Sequence, residues 1–210
     1  MRLYDYWRSS SAYRVRIALR LKGIEHQQLG VNLRLGVQRT LDYLAHNQQG
    51  LVPALETGEA TLTQSLAIIE WLDETHPEPP LLPAGATARA VARSLALQIA
   101  CEIQPVNNLR VLQYLQSRVG MEERDLNAWY RHWVAEGFAA LEARLAATAG
   151  TYCFGDQITL ADLCLVPQVY NARRYSCELD LFPTILRIDA SCQKLEAFAE
   201  AKPERQPDAA

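Results

Sequence analysis

The run Leu3-Tyr4-Asp5-Tyr6-Trp7-Arg8-Ser9-Ser10-Ser11-Ala12-Tyr13-Arg14-Val15-Arg16-Ile17-Ala18-Leu19 contains a complete transition from strand to helix. Its first five residues form a short aromatic run suited to a buried strand, and the serines supply a turn. Tyr13, Val15, Ile17, Ala18, Leu19 and Leu21 then lie in good helix formers. That helix is predicted to start near Ser11 and to end at Lys22-Gly23, a basic last turn followed by a glycine that can leave the helix with φ > 0.

Downstream, residues 26–33 read as a second strand and residues 37–45 as a looser helical segment. Leu51-Val52-Pro53-Ala54-Leu55 reads as a short strand, which its proline confines to an edge or an irregular start. Residues 57–60 are a turn, residues 60–63 a returning strand, and Ser65 precedes a helix whose packing face is Ile68, Ile69, Trp71 and Leu72. The order β-α-β-α-β-β-α predicts a mixed sheet with a right-handed βαβ unit, the thioredoxin-like arrangement. Residues 76–85 carry four prolines and a glycine, too many for a helix or a central strand, and are read as a linker. Beyond it the periodicity is helical over residues 89–116, 122–147, 160–172 and 190–201, with Pro105 kinking or breaking the first of these. The expected fold class is α/β plus all-α: a thioredoxin-like domain over residues 1–80, then an all-helical domain over residues 87–210.

Composition narrows the function. With 21 basic and 24 acidic residues the net charge is -3, which offers no diffuse attraction to a phosphate backbone, so no nucleic-acid partner is expected. No apolar run approaches the ~20 residues of a membrane span. The five cysteines, at positions 101, 153, 164, 177 and 192, are odd in number and widely spaced, without a Cys-x-x-Cys or a nearby His pair, so neither a disulfide framework nor a metal site is expected. Cys101 and Cys164 lie in apolar helical surroundings and read as inert buried thiols. The opening MRLYDYW lacks a signal-peptide pattern, which makes the cytoplasm the expected compartment. Only 3 of the 21 basic residues are lysine, a bias read mostly as background, although an arginine fork is also what a carboxylate site uses.

The chemistry concentrates at Arg8-Ser9-Ser10-Ser11, where free N–H groups and the positive end of a helix favour an anion. A redox enzyme of this fold would need cysteine there, and the chain has none. Sulfur chemistry would then require a thiol from a ligand, with a serine hydroxyl donating to its thiolate; glutathione meets that requirement. The alternative is that Ser9 to Ser11 only cap the helix. Pro53 in the third strand is read as a cis-proline that leaves the Val52 backbone free to pair with an extended peptide. Gln64-Ser65 opens the third helix and is able to hold a carboxylate, or Ser65 is simply its cap.

On these residues the sequence resembles the zeta-class glutathione transferases, the family of maleylacetoacetate and maleylpyruvate isomerases. The likeness spans essentially the whole chain. Besides residues 9–19, it rests on Val52-Pro53-Ala54-Leu55, on Gln64-Ser65-Leu66-Ala67-Ile68-Ile69-Glu70, on residues 105–112 and on Leu165-Val166-Pro167-Gln168-Val169. The resemblance implies glutathione as cofactor, with Ser9 stabilising its thiolate, Ser10 and Ser11 completing the loop, Val52 pairing the peptide backbone, and Gln64 and Ser65 binding the γ-glutamyl carboxylate. Gln104 and Asn108 are further cofactor-binding candidates. Ser11 stands where the family often has cysteine, Gln104 where bacterial relatives often have histidine, and Gln48 where proline is common. The implied reaction is cis-trans isomerisation of a diketo dicarboxylate, by transient thiolate addition that frees a double bond to rotate. Carboxylates at both ends of such a substrate call for cationic forks, and Arg8, Arg110 and Arg174 are the candidates. The resemblance further implies a homodimer. Maleylacetoacetate is the leading substrate, with maleylpyruvate isomerisation and general glutathione conjugation as alternatives. Thr159-Leu160-Ala161-Asp162 reads as a capping box rather than a catalytic site, and Trp129 and Trp133, one turn apart, as packing residues. Asn107 and Asn108 either support the site or satisfy backbone groups freed by Pro105.

Overall fold

The computed structural model describes residues 1–209. By contact they fall into two units, one of Met1–Leu81 together with the segment from Gln193 onward, the other of Leu82–Cys192.

The first unit is built on a four-stranded sheet of order β2-β1-β3-β4, formed by β1 (Arg2–Asp5), β2 (Gln27–Gly30), β3 (Ala54–Glu56) and β4 (Thr61–Thr63). β1 and β2 run parallel, joined through α1 (Ser10–Leu21), while β3 is antiparallel to both β1 and β4. This is the mixed sheet the alternation predicts. The strands are shorter than expected. Tyr6 and Trp7 leave β1 to form a turn, and Val52-Pro53, joined by a cis peptide bond, precede β3 because a proline without an N–H cannot enter the ladder. The looser segment resolves into a 3-10 turn at Val37–Arg39 and the single-turn α2 (Leu41–Leu44).

α1 buries Ala12 to Leu19 without a break and packs against α3 (Ser65–Thr75). It ends as predicted, on Lys22 followed by Gly23 at φ 62°. The buried Lys22 ammonium donates to Asp73 Oδ1 (2.9 Å) and to the carbonyls of His76 (2.6 Å) and Pro79 (3.0 Å), tying α1 to α3 and the proline-rich segment.

The C-terminal segment, expected with the helical domain, packs on this unit instead. Its elements are α9 (Glu196–Glu200) and a 3-10 turn at Pro203–Arg205. The reason lies in buried donors on α1 that need distant acceptors: Tyr13 Oη donates to the Phe198 carbonyl (3.3 Å) and Arg16 Nε to the Ala201 carbonyl (3.1 Å).

The second unit is helical: α4 (Ala86–Leu97), α5 (Leu109–Tyr114), α6 (Glu123–Thr148), α7 (Leu160–Arg174) and α8 (Pro183–Cys192). The helix expected over residues 89–116 is broken. α4 passes into a π-helical stretch at Gln98–Ile103, the helix stops before Pro105, and α5 restarts with Asn108 as its cap, before a second π-helical stretch at Leu115–Val119. The helix expected at residues 190–201 is also divided, between α8 and α9. α7 is the buried rod of the unit and packs against both α4 and α8. Its capping box is present: the Asp162 carboxylate accepts from Thr159 N (2.8 Å) and Oγ1 (3.1 Å), and also from Cys153 N (2.8 Å). Trp129 and Trp133 meet edge to face at 5.7 Å. Cys164 is buried, but Cys101 lies on the outer side of the π-helical stretch and is exposed, contrary to the expectation of a buried thiol. No helix among the described residues is long and apolar enough to cross a membrane.

Candidate functional site

Three loops leave the sheet at one end. β1 runs out into the Tyr6–Ser9 turn, the antiparallel β3 begins there after Val52-Pro53, and β4 ends there at Gln64-Ser65. The register Tyr4↔Ala54↔Thr63 fixes this juxtaposition. β1 to β4 spans two strand spacings of about 4.8 Å each, roughly 10 Å, which is the length of a tripeptide extended at ~3.3 Å per residue. The N-termini of α1 and α3 open at the same end, so both positive helix ends serve one shelf.

At the β1 end, Ser9 is the N-cap of α1, and its Oγ accepts the Ala12 N–H (3.2 Å). Capping and sulfur chemistry are therefore compatible, since the hydroxyl accepts with a lone pair and its proton remains to be donated outward. The N–H groups of Ser10 and Ser11 meet no acceptor among the described residues, as expected in a first helical turn. The Arg8 guanidinium lies 4.4 Å from the centroid of the Trp7 ring, and its Nε has no hydrogen-bond partner. Packed over an indole, this guanidinium is a fork of the kind that takes a carboxylate.

In the middle, neither the N–H nor the C=O of Val52 is engaged by another described residue. The preceding loop is held from below, where the Leu51 carbonyl accepts from Tyr43 Oη (2.5 Å) and Asn47 Nδ2 (2.8 Å). Burial pushes the Tyr43 phenol well up, so it stays a neutral donor. At the β4 end, Gln64 adopts φ 69°, ψ 114°, a conformation costing on the order of 1–3 kcal/mol for a residue with a side chain and found mostly at functional positions. Its Nε2 donates to Gln49 Oε1 (2.8 Å), so residues 49 and 64 close the shelf together. Ser65 is buried and accepts from Arg14 Nη1 (3.3 Å), while Arg14 Nε and Nη2 are buried without partners among the described residues. A carboxylate at the start of α3 would meet a helix N-terminus backed by a buried positive charge. The donor set suits an extended peptide with a thiol over Ser9 and a carboxylate over Ser65, which is the shape of glutathione.

In the helical unit, Trp129 Nε1 donates to the Val106 carbonyl (3.0 Å) and Asn107 Nδ2 to the Tyr130 carbonyl (3.4 Å), so α6 holds the segment after Pro105. Asn108 Oδ1 caps α5 by accepting from Arg110 N (3.2 Å). The exposed Arg110 guanidinium engages no described side chain, and Gln104 is half-buried beside Pro105. Tyr130 also stacks on Tyr175 at 3.6 Å. The Arg174 guanidinium lies over Tyr175, bonded to Asn171 Oδ1 (3.4 Å) and Tyr175 Oη (3.3 Å). The structure thus ties residues 106 and 107 and the end of α7 to one stretch of α6.

Sequence reasoning missed Arg14, Gln49, Tyr43 and Asn47. Arg14 carried a readable signal, being a charge in a helix that is otherwise apolar from Ala12 to Leu19 apart from Arg16. The others depend on long-range contacts with no local pattern.

The family description of the glutathione S-transferase N-terminal domain matches residues 3–80, and that of the C-terminal domain matches residues 134–200. A probable maleylacetoacetate isomerase of Vibrio cholerae is 49% identical over 209 residues, covering 99% of this chain and 97% of its own. Among solved structures, the holo form of a maleylpyruvate isomerase, described as a bacterial zeta-class glutathione S-transferase, superposes with TM-score 0.98 at 48% identity over 100% of both chains. The maleylacetoacetate isomerase of Methylobacterium extorquens AM1, with bound malonate and glutathione, gives TM-score 0.97 at 41% identity over 100% of both chains. With that coverage and the serine turn intact, this chain belongs to the zeta class of the glutathione S-transferase family.

Proposed function

We propose that the protein is a glutathione-dependent cis-trans isomerase that converts maleylacetoacetate to fumarylacetoacetate. The observation carrying this is the Ser9 hydroxyl, which caps α1 while keeping its proton free at the end of a tripeptide-length shelf. Bound glutathione supplies a thiolate whose addition to the conjugated substrate, followed by its expulsion, lets a double bond rotate. Ser9 donates to that sulfur, and the N–H groups of Ser10 and Ser11, aligned with the α1 field, favour its negative charge. Val52 pairs the peptide backbone, and Gln64 and Ser65, backed by Arg14, hold the γ-glutamyl carboxylate. Gln104 and Asn108 are its further contacts, the latter through the amide nitrogen left free by its capping role. Arg8, Arg110 and Arg174 orient the substrate carboxylates and stabilise the charge that develops between them. In this reading residues 1–80, with the C-terminal segment from Gln193 packed on them, bind glutathione, residues 87–192 contribute the substrate side, and the protein is a cytoplasmic homodimer.

Maleylpyruvate is the second substrate considered, favoured by the close superposition on a maleylpyruvate isomerase. The two differ only in what extends beyond the shared diketo-acid unit. Supplying each separately, with and without glutathione, and following loss of the cis isomer tests both. The expected result is strict dependence on glutathione and a higher kcat/KM for maleylacetoacetate; turnover of either without glutathione overturns the mechanism.

A further inference from the structure

Residues Tyr6 to Ser9 form a β-turn closed by the bond from Ser9 N to the Tyr6 carbonyl (2.8 Å), with Trp7 and Arg8 at its centre. Both backbone polar groups of Trp7 are held by side chains remote in sequence. Its carbonyl accepts from Arg16 Nη2 (3.0 Å) and its N–H donates to Asp208 Oδ2 (3.0 Å). The peptide after Trp7 is the one whose rotation interconverts β-turn types, and Arg16 fixes it. The preceding peptide is fixed by Asp208. With Ser9 N already bound, every peptide plane leading to the Ser9 hydroxyl is set.

Arg16 is itself buried and bonded at all three guanidinium nitrogens. It is 1% exposed, bonded through Nη1 to both Asp5 oxygens (2.8 Å each) and through Nε to the Ala201 carbonyl (3.1 Å), with Gln28 completing the Asp5 shell at 2.6 Å. Asp208 arrives from the C-terminal segment across the outer strand β2, where Gly30 admits it: a Cβ at Gly30 would stand 3.2 Å from Asp208 Cβ. The charged groups facing the turn are thus Asp5, Arg16 and Asp208, with Arg8 on the turn itself.

We propose that Asp208 is a positioning residue for the glutathione thiol: by holding the Trp7 N–H it aims the Ser9 hydroxyl, and so helps set the acidity of the bound thiol, from some two hundred residues away in sequence. This rests on the reading of Ser9 as the thiolate's donor. A well-aligned donor favours the charged form of its acceptor, whereas a hydroxyl swung off the sulfur does not.

The test is the ultraviolet absorbance of the thiolate of enzyme-bound glutathione, titrated against pH in the full-length protein. Asp208→Ala is expected to move the ionisation midpoint up by about one pH unit, equivalent to a roughly tenfold smaller thiolate fraction below the midpoint. Affinity for S-methylglutathione, which has no thiol to ionise, is expected to stay within about twofold of the wild type. Asp208→Asn keeps an acceptor oxygen and should restore most of the shift, while Gly30→Ala, pressing on Asp208, should reproduce part of it. An unchanged midpoint in Asp208→Ala, an Asn variant as impaired as the Ala variant, or S-methylglutathione affinity falling in step overturns the proposal and leaves the role of Ser9 intact. A midpoint unmoved in Ser9→Ala overturns the reading of Ser9, and the positioning role with it. Neither outcome depends on which diketo acid is isomerised.

Discussion

Arg14 has two guanidinium nitrogens without partners, and each buried unsatisfied donor costs about 1–3 kcal/mol. Such a charge persists where something else uses it. The user on offer is the carboxylate subsite proposed at Ser65, whose hydroxyl accepts from Arg14 Nη1. Arg14→Met, which keeps much of the volume, is expected to weaken glutathione binding about tenfold and to leave binding of a glutathione analogue lacking the γ-glutamyl carboxylate nearly unchanged. Calorimetric titration of both ligands checks this; equal losses would make Arg14 a packing residue. The serine turn, Val52-Pro53 and Gln64-Ser65 were legible in the sequence because each combines a helix start or a proline with a polar residue at fixed spacing. Arg14 and Arg16 interrupt an otherwise apolar stretch, but amid an excess of arginine that sign does not say what either side chain holds.

Gly137, inside α6, is where one element depends most directly on another. An added Cβ would overlap Ile103 Cγ1 and Cδ1 on the π-helical stretch after α4. Gly to Ala in a helix normally gains about 1 kcal/mol. Here overpacking against a β-branched side chain that is 1% exposed costs about 1–3 kcal/mol, so the clash prevails. Gly137→Ala is expected to lower the denaturant midpoint, and Gly137→Ala with Ile103→Ala to show a favourable coupling between the two sites, measured by a double-mutant cycle. A more stable single variant would show that α6 and the π-helical stretch slide apart without penalty. This dependence also explains which elements the sequence showed. α6, α7 and its capping box follow from periodicity and local hydrogen bonding, whereas the π-helical turns, both of which touch α6, carry no such local pattern. The start of α8 left one usable sign, Pro183 at its first position, where the missing N–H is an orphan in any case.

Across the whole molecule, the five thiols divide by accessibility. Cys153, Cys164 and Cys192 are buried, and burial pushes the Cys153 and Cys192 thiols far up. Half-buried Cys177 is raised for the same reason, and Cys101 is exposed. In the native protein an aromatic disulfide reagent should therefore titrate Cys101 promptly, Cys177 slowly and the other three only on unfolding; two or more prompt thiols would contradict this distribution. The C-terminal segment carries a consequence of a different kind. Trp7, Tyr13 and Arg16 find acceptors at Asp208, Phe198 and Ala201, so their partners leave the ribosome about 190 residues later, roughly 10–40 s at ~5–20 residues per second. Until then a nascent chain has its first strand, helix and serine turn without these three acceptors. A segment translated early therefore reaches its finished form only after residue 208 has emerged, and the serine turn is set no sooner.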